Sequence, residues 1–575
     1  MAIMGIHDAH DCGAAVVDSG SVASAINEER FTKKKNDVGF PYNSVAYAGG
    51  TVGSDDIEGV AVPWIGGSAL FARMFPSLET KRRSLWRREG EKPSALSMNL
   101  RNMAFRVLQP QKPRALWKIA GSVVGGSILR RKLAGLGIDK EINFVEHHTA
   151  HASAAYFASG MKEAIVITLD GAGDGVSGSV SVGESGNLKR ISEFAAGASL
   201  GILYGAATIA CDMRYSEDEG KLMSLAAYSY PERIDELNAI SHYDSSRREL
   251  VSSTGMKYEL LLAEYMRNNL LWKHNREAFA YAVQRHVEEQ VIKMVKQHIK
   301  ETGIRNVAVG GGLFSNIIIN MLIDRLPEVK DFFVFPHMGD GGLSLGAAYY
   351  LDFEKNGKFS GKRIDNVYYG PSYSNESIKK ALKKYGKKIK FRQVSDIERF
   401  TAEKLAEENR IVLWFQGRME YGPRALGNRS VLAMPNHSEN RDRINLIIKK
   451  RPYYQPFAST ILEEDAPRLL ERYRRKNKFM TVGYKVRDER LGDLVAASHI
   501  DGTTRPQFLG AENPKYAKLL MDVKRISGTG ALLNTSLNKH GMPIVMTPDD
   551  AIWTLLNTGA QCLSIGDFFV EKVRA

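Results

Sequence analysis

The most constraining stretch of this chain is Glu146-His147-His148-Thr149-Ala150-His151, followed by Asp170-Gly171-Ala172-Gly173-Asp174. From Thr149 to Phe157 the sequence is alanine-rich and free of Gly and Pro, which predicts a helix. Residues four apart share a helix face, so His147 and His151 present both imidazoles to one point. The run Ala164-Ile-Val-Ile-Thr-Leu-Asp170 has strand length and ends in a carboxylate beside a glycine-rich turn. Two imidazoles and a carboxylate at a strand end suit a divalent transition metal, iron or zinc, with positions left open for substrate. A packed helix whose histidines are only hydrogen-bonded is the alternative that this spacing leaves open.

At 575 residues the chain is too long for one ordinary core and implies two to four domains. Its formal charge of +14 favours an anionic ligand or partner, without choosing among nucleotide, phosphate, nucleic acid and membrane surface. Cys12, Cys211 and Cys562 lie far apart, which speaks against a disulfide framework or a cysteine zinc site and fits a reducing compartment. The opening Met-Ala-Ile-Met-Gly-Ile-His-Asp meets a charged pair too early for a signal-peptide core, and no apolar run reaches membrane-spanning length. The expectation is a cytoplasmic protein without a membrane partner.

Residues 3–17 predict strand, turn, strand, with His10 and Asp11 at the tip of a glycine-containing turn able to lie against a phosphate. From about 76 to 136 the pattern changes to an irregular, partly helical insertion with basic clusters at Lys81-Arg82-Arg83 and Arg130-Arg131-Lys132. Glu219-Gly220-Lys221 places a carboxylate and an ammonium at a helix start. Strand Asn306-Val-Ala-Val opens into Gly310-Gly311-Gly312 and then Asn316, a backbone that can approach a nucleotide, although the Lys-Ser/Thr ending of a P-loop is missing. Phe332-Phe-Val-Phe-Pro runs into Gly339-Asp340-Gly341-Gly342, a second strand-end aspartate. A polar, glycine-bearing stretch at 353–366 predicts a domain boundary. Beyond it, Arg418, Arg424 and Arg429 interleave with glycines just after a strand, and guanidinium forks match phosphate oxygens. Further polar stretches follow at Lys449-Lys-Arg451, Asp501-Gly-Thr-Thr-Arg505-Pro-Gln and Asn534-Thr-Ser-Leu-Asn538.

In this order, these segments resemble the NodU/CmcH-type O-carbamoyltransferases that modify nodulation factors and antibiotics, over nearly the whole chain except the 76–136 insertion. The resemblance implies an α/β architecture: a duplicated actin/hexokinase-type (ASKHA) transfer domain at 1–355, then a YrdC-like domain at 366–575. It implies that the second domain turns carbamoyl phosphate and ATP into carbamoyl-adenylate. The first then moves the carbamoyl group to a hydroxyl of a small-molecule acceptor. By the same resemblance His147, His151, Asp170 and Asp340 hold Fe(II) or another divalent transition metal, with His10 and Asp11 catalytic beside it. Gly171, Lys221, Gly310, Gly311, Gly312 and Asn316 serve the nucleotide, and Arg418, Arg424, Arg429, Arg451, Arg505 and Asn534 serve carbamoyl phosphate and the adenylate. Mg²⁺ is expected with the ATP phosphates, and the family leaves room for a homodimer. The chain departs from the family at Pro452 and Gln455, where a glutamate and an arginine are usual, and at Met542, often a carboxylate. Two other functions fit the same fold: a tRNA-modifying carbamoyl transferase, and a catalytically inactive nucleotide-binding regulator.

Overall fold

The computed structural model describes residues 2–65, 67–86, 115–255 and 259–573, which fall into two compact units. One comprises Met1–Glu28 and Asn36–Ile364, the other Glu29–Lys35 and Asp365–Ala575. Glu29–Lys35, which the sequence-based bounds put with the first domain, thus folds with the second unit. The cause is polar: the buried Arg30 guanidinium donates to the Gly422 carbonyl at 2.8 Å, and the Lys33 ammonium pairs with Asp550.

The first unit is built on two five-stranded sheets. The first sheet contains β1 (Ala2–His7), β2 (Gly13–Asp18), β3 (Ser21–Asn27), β4 (Ile57–Pro63) and β5 (Ile142–Val145), in the order β3-β2-β1-β4-β5. The second contains β6 (Glu163–Gly173), β7 (Val176–Glu184), β8 (Asn187–Ala195), β9 (Asn306–Gly310) and β10 (Asp331–Val334), in the order β10-β9-β6-β7-β8. Each begins with an antiparallel meander of three strands and adds two strands parallel to its first. The second sheet therefore repeats the first in order and direction, the duplication that the family resemblance implies. Central strand β1 is buried at every position, so it reads as a continuous apolar run, as parallel strands covered on both faces do.

Each repeat ends in a helix: α1 (His147–Ser159) after β5 and α2 (Leu343–Asn356) after β10. The two helices pack on each other, α1 against the second sheet and α2 against the first. Glycine makes the crossing possible, since a Cβ on Gly346 would lie 2.0 Å from the Ala150 carbonyl oxygen. Between β4 and β5, helices at Gly67–Met74, Pro76–Trp86 and Ala115–Ala134 form the described part of the insertion, which thus starts at Gly67, earlier than the 76 read from the sequence; residues 87–114 lie outside the described residues.

The second unit carries an eight-stranded mixed sheet. Its strands are β11 (Ile389–Gln393), β12 (Val412–Phe415), β13 (Arg429–Ala433), β14 (Ala458–Leu462), β15 (Pro506–Leu509), β16 (Ala531–Ser536), β17 (Cys562–Ile565) and β18 (Phe568–Lys572), in the order β11-β18-β17-β12-β13-β16-β14-β15. Alternate residues face opposite sides: Leu413 and Phe415 join one hydrophobic core, Val412 and Trp414 the other. Among the described residues, no helix is long and apolar enough to cross a membrane.

Candidate active site

The first centre forms where the two repeats of the first unit meet. His147 and His151 lie four residues apart on α1, whose first turn is fixed by Glu146 accepting the Thr149 amide at 2.7 Å. Asp170 sits where the β6–β7 ladder breaks register, between Leu169 and Gly173, which frees residues 170–172 to turn out of the sheet. Asp340 precedes α2 in the glycine turn after β10. These four residues, gathered from the sequence, offer ligand atoms all within 4.8 Å of one another. His151 Nε2 is 3.3 Å from Asp170 Oδ2 and 3.4 Å from Asp340 Oδ1; His147 Nε2 is 3.4 and 3.7 Å from the same atoms. Such distances are long for N–H···O hydrogen bonds, which cluster near about 2.9 Å. They fit ligand atoms about 2.1 Å from one shared ion, which stand roughly 3.0–3.4 Å apart.

The charges fit a cation too. Both carboxylates are drawn into the protein with imidazoles as their only ion-pair partners among the described residues. Burial works against ionisation, yet the neighbouring imidazoles hold Asp170 at about 2 and Asp340 well below the usual carboxylate range. Burial likewise opposes a charged His147, but Asp340 and Asp170 raise it to about 9. Two carboxylates thus demand positive charge at this point, as protons on imidazole or as a metal ion. Gly173 leaves the ring room, because a Cβ there would lie 2.2 Å from the His147 ring. His148, between the two, serves the core instead. Thr168 Oγ1 bonds its Nδ1 at 2.9 Å, its Nε2 donates to the Val176 carbonyl at 3.0 Å, and burial pushes it down to about 3.

His10 joins the cluster from the β1–β2 turn: its Nε2 lies 2.7 Å from Asp340 Oδ2 and its Nδ1 3.1 Å from Asp11 Oδ2. Asn27 ties that turn to the Asp340 turn, donating to the Asp11 and Gly341 carbonyls at 3.0 and 3.2 Å while accepting from His337 Nε2 at 2.9 Å. Asn27, His337 and Trp64 carry no sequence signal that marks them as part of the site. Trp64 has φ of +80°, a strained value for a bulky residue. Its carbonyl accepts from Arg73 at 3.1 Å, and the next amide, that of Ile65, donates to Asp174 at 3.1 Å. The indole lies over His7 and edge-on to His10 and His147, with centroids 6.0–6.2 Å away. Only the structure shows it, since no local pattern marks a residue that backbone strain brings into place.

Of the expected nucleotide residues, Gly171 and Gly312 donate their amides to Asp170 Oδ1 at 2.8 and 3.3 Å. Gly311 adopts φ of +95° and donates to the Met338 carbonyl, and Gly310 ends β9 just before it. Lys221 pairs with Asp218 at 2.8 Å. Asn316 is an internal cap: its oxygen accepts the Ile318 and Ile319 amides, and its nitrogen donates to Gln284 at 2.8 Å. Lys221 and Asn316 are therefore both engaged by protein partners.

The second centre lies in the second unit. Arg424, Arg451 and Arg505 are half-buried cations that face one another without a carboxylate. Burial lowers Arg424 to about 10; burial and Arg424 lower Arg451 to about 10; burial and both neighbours push Arg505 well down. Three mutually repelling guanidiniums with no carboxylate partner among the described residues suit an anion. Lys449 adds a fourth cation that the sequence analysis did not single out, its ammonium donating to oxygens of Ser536 and Asn538. Arg418 and Arg429, expected in the same site, have backbone carbonyls as partners. Arg418 donates to the Tyr369 and Gly370 carbonyls. Arg429 is fully buried, stacks 3.7 Å from the Phe415 ring centre and donates to the carbonyls of Gln416, Gly417 and Pro371. Both hold the loop. Glu420 completes that loop by accepting the amides of Leu426, Asn428 and Arg429 on one oxygen.

Comparison with known proteins bears on both units. The family model described as Carbamoyltransferase N-terminus matches residues 2–349, and Carbamoyltransferase C-terminus matches residues 402–572. Nodulation protein NolNO of Sinorhizobium fredii is 31% identical over 98% of this chain and 79% of its own length. The 3'-hydroxymethylcephem-O-carbamoyltransferase of Streptomyces clavuligerus is 29% identical over 62% of this chain and 65% of its own. Among solved structures, full-length HypF in its phosphate- and nucleotide-bound form is 12% identical, with a TM-score of 0.32 over 62% of this chain and 56% of that one.

Proposed function

The chain belongs to the carbamoyltransferase family and is a carbamoyltransferase, and from that premise we propose an ATP-dependent O-carbamoyltransferase with a divided reaction. In the second unit, water cleaves carbamoyl phosphate to carbamate and inorganic phosphate, and a carbamate oxygen then attacks the α-phosphorus of ATP, breaking its bond to the β-phosphate so that pyrophosphate leaves and carbamoyl-adenylate remains. In the first, the hydroxyl oxygen of a small acceptor attacks the carbamoyl carbon, AMP leaves with the bonding pair, and the hydroxyl proton is released. A neutral alcohol is a weak nucleophile, so the adenylate supplies the good leaving group that the transfer needs. The observation that carries this reading is the pair of centres: four ligand atoms within 4.8 Å in one unit, and three arginines without a counter-charge in the other.

His147, His151, Asp170 and Asp340 would hold a divalent transition metal, which when bound supplies Lewis acidity where charge develops on the carbonyl oxygen. The remaining steps belong to the chain's own residues. Arg424, Arg451 and Arg505 neutralise and orient the donor's phosphate. His10, between Asp340 and Asp11, receives the acceptor proton, a contribution typically of about 10²–10⁴ in rate. Asp11, 30% exposed, leads that proton toward water. The name of the cephem relative supports a hydroxyl as the receiving group. The test needs no acceptor: the protein is given ATP, Mg²⁺, carbamoyl phosphate and labelled pyrophosphate. Label should enter ATP only when carbamoyl phosphate is present. Exchange that ignored carbamoyl phosphate, or its absence under all conditions, would end the proposal.

A further inference from the structure

Guanidiniums donate hydrogen bonds and cannot accept them. A pocket of arginines therefore binds a phosphate monoester, an acyl phosphate or inorganic phosphate by charge, and does not sense whether an amide is attached. Selecting a carbamoyl group takes an acceptor fixed toward its NH₂. We propose that Asn534 is that acceptor and reads the carbamoyl amide through its Oδ1. The proposal rests on the donor site described above.

The orientation of this side chain follows from its neighbours. Gln507 donates its amide nitrogen to the Leu426 carbonyl at 2.9 Å, so its oxygen is left to accept, and Thr460 Oγ1 donates to it at 3.1 Å. The one hydroxyl proton of Thr460 is thereby used, and Thr460 can only accept from its other neighbours, the Tyr516 hydroxyl at 3.0 Å and Asn534 at 3.0 Å. The atom of Asn534 facing Thr460 must then be the nitrogen, which also donates to the Ala425 carbonyl at 3.3 Å. A flipped amide would set oxygen against both acceptors. The chain of bonds thus leaves Oδ1 buried in a residue 1% exposed, with no donor among the described residues. An orphaned buried acceptor is costly unless a ligand completes it.

The surroundings identify the ligand. Ala425, the partner of the Asn534 nitrogen, adjoins Arg424. Asn534 pairs with Ala458, and Gln507 with Thr460, so Asn534, Thr460 and Gln507 share one sheet face. Arg505 immediately precedes β15, the strand that carries Gln507. Arg505 Nε is a buried donor without a protein partner as well. Donors for an anion and one fixed acceptor together match an anion that carries N–H, as carbamoyl phosphate does.

Acetyl phosphate tests this, because it replaces NH₂ by CH₃ at similar size and charge. In the full-length protein, carbamoyl-phosphate-dependent pyrophosphate exchange gives the apparent KM for carbamoyl phosphate, and acetyl phosphate as a competitor gives its Ki. Wild type should prefer carbamoyl phosphate by at least about tenfold. Asn534→Leu should raise the carbamoyl phosphate KM at least about tenfold while leaving the acetyl phosphate Ki within about twofold, so that the preference disappears. Asn534→Asp, which keeps an acceptor oxygen but adds negative charge, should weaken both anions and retain the preference. Equal competition by acetyl phosphate in wild type, or an undiminished preference in Asn534→Leu, would overturn the proposal and leave the donor site standing. Wild-type protein without any exchange would instead remove the donor site itself, and this inference with it.

Discussion

Residue by residue, the three histidines at the start of α1 have separate fates that their types alone do not show. The four-residue spacing singled out His147 and His151 correctly as one face, whereas His148 turns inward to Thr168 and the Val176 carbonyl. His148 stays neutral when folded, at about 3 by burial, against about 6.5 in an unfolded chain. Its contribution to stability is therefore present above pH 6.5 and is lost as pH falls toward 3. Urea titrations of metal-free protein at pH 7 and pH 4.5 should show wild type losing more stability than His148→Gln, by on the order of 1–3 kcal/mol. The proposed metal ligands run the other way. A proton held by His147 up to about pH 9 must leave before a cation can bind, so apparent metal affinity should rise with pH through that region, with protons released on loading. Equal affinity at pH 6 and pH 9 would argue against the cluster as a metal site. Gly173→Ala places a methyl on the His147 ring and should weaken metal binding roughly 10–100-fold, read by dialysis and elemental analysis. The arginines carry a similar lesson. Arg418, Arg424 and Arg429 look alike in sequence, yet two of them hold backbone carbonyls and only Arg424 faces the other free guanidiniums.

At the scale of elements, periodicity and turn chemistry revealed most of what positions the site. The alanine-rich run became α1, the apolar run to Asp170 became β6, and the glycine triplet sits at the end of β9. Contacts between distant segments were not legible, because pairings such as Asp8 with Arg73 or Asn27 with His337 depend on the fold and leave no local period. Arg73 anchors the first helix of the insertion, Gly67–Met74, with two bonds to Asp8 at 2.7 and 3.0 Å, both side chains being buried. Arg73→Met should therefore cost about 3–5 kcal/mol by leaving a buried carboxylate unpaired. Adding Asp8→Asn should recover part of that loss; a double variant as unstable as the sum of the singles would show that the pair does not couple. The same helix shapes the strained Trp64 backbone, so the insertion is tied to the reaction centre by a carbonyl as well as by an ion pair.

For the molecule as a whole, the duplicated sheets explain why the ligands lie so far apart in sequence. Each repeat contributes the turn after its first strand (His10 and Asp11, or Asp170) and the entry to its last helix (His147 and His151, or Asp340). The two repeats are alike in topology and unlike in chemistry, one giving imidazoles and the other carboxylates to the proposed cation site. If the two units divide the reaction, His151→Ala should lose bound metal yet keep carbamoyl-phosphate-dependent pyrophosphate exchange, whereas Arg505→Gln should lose exchange and keep its metal. Loss of both properties in both variants would contradict that division. The short crossing of Glu29–Lys35 carries a consequence for synthesis. As the nascent chain leaves the ribosome, Arg30 and Lys33 emerge early, but Gly422 and Asp550 do not yet exist. The segment Glu29–Lys35 therefore cannot make its finished contacts until translation has passed Asp550, long after the strands on either side of it have been made.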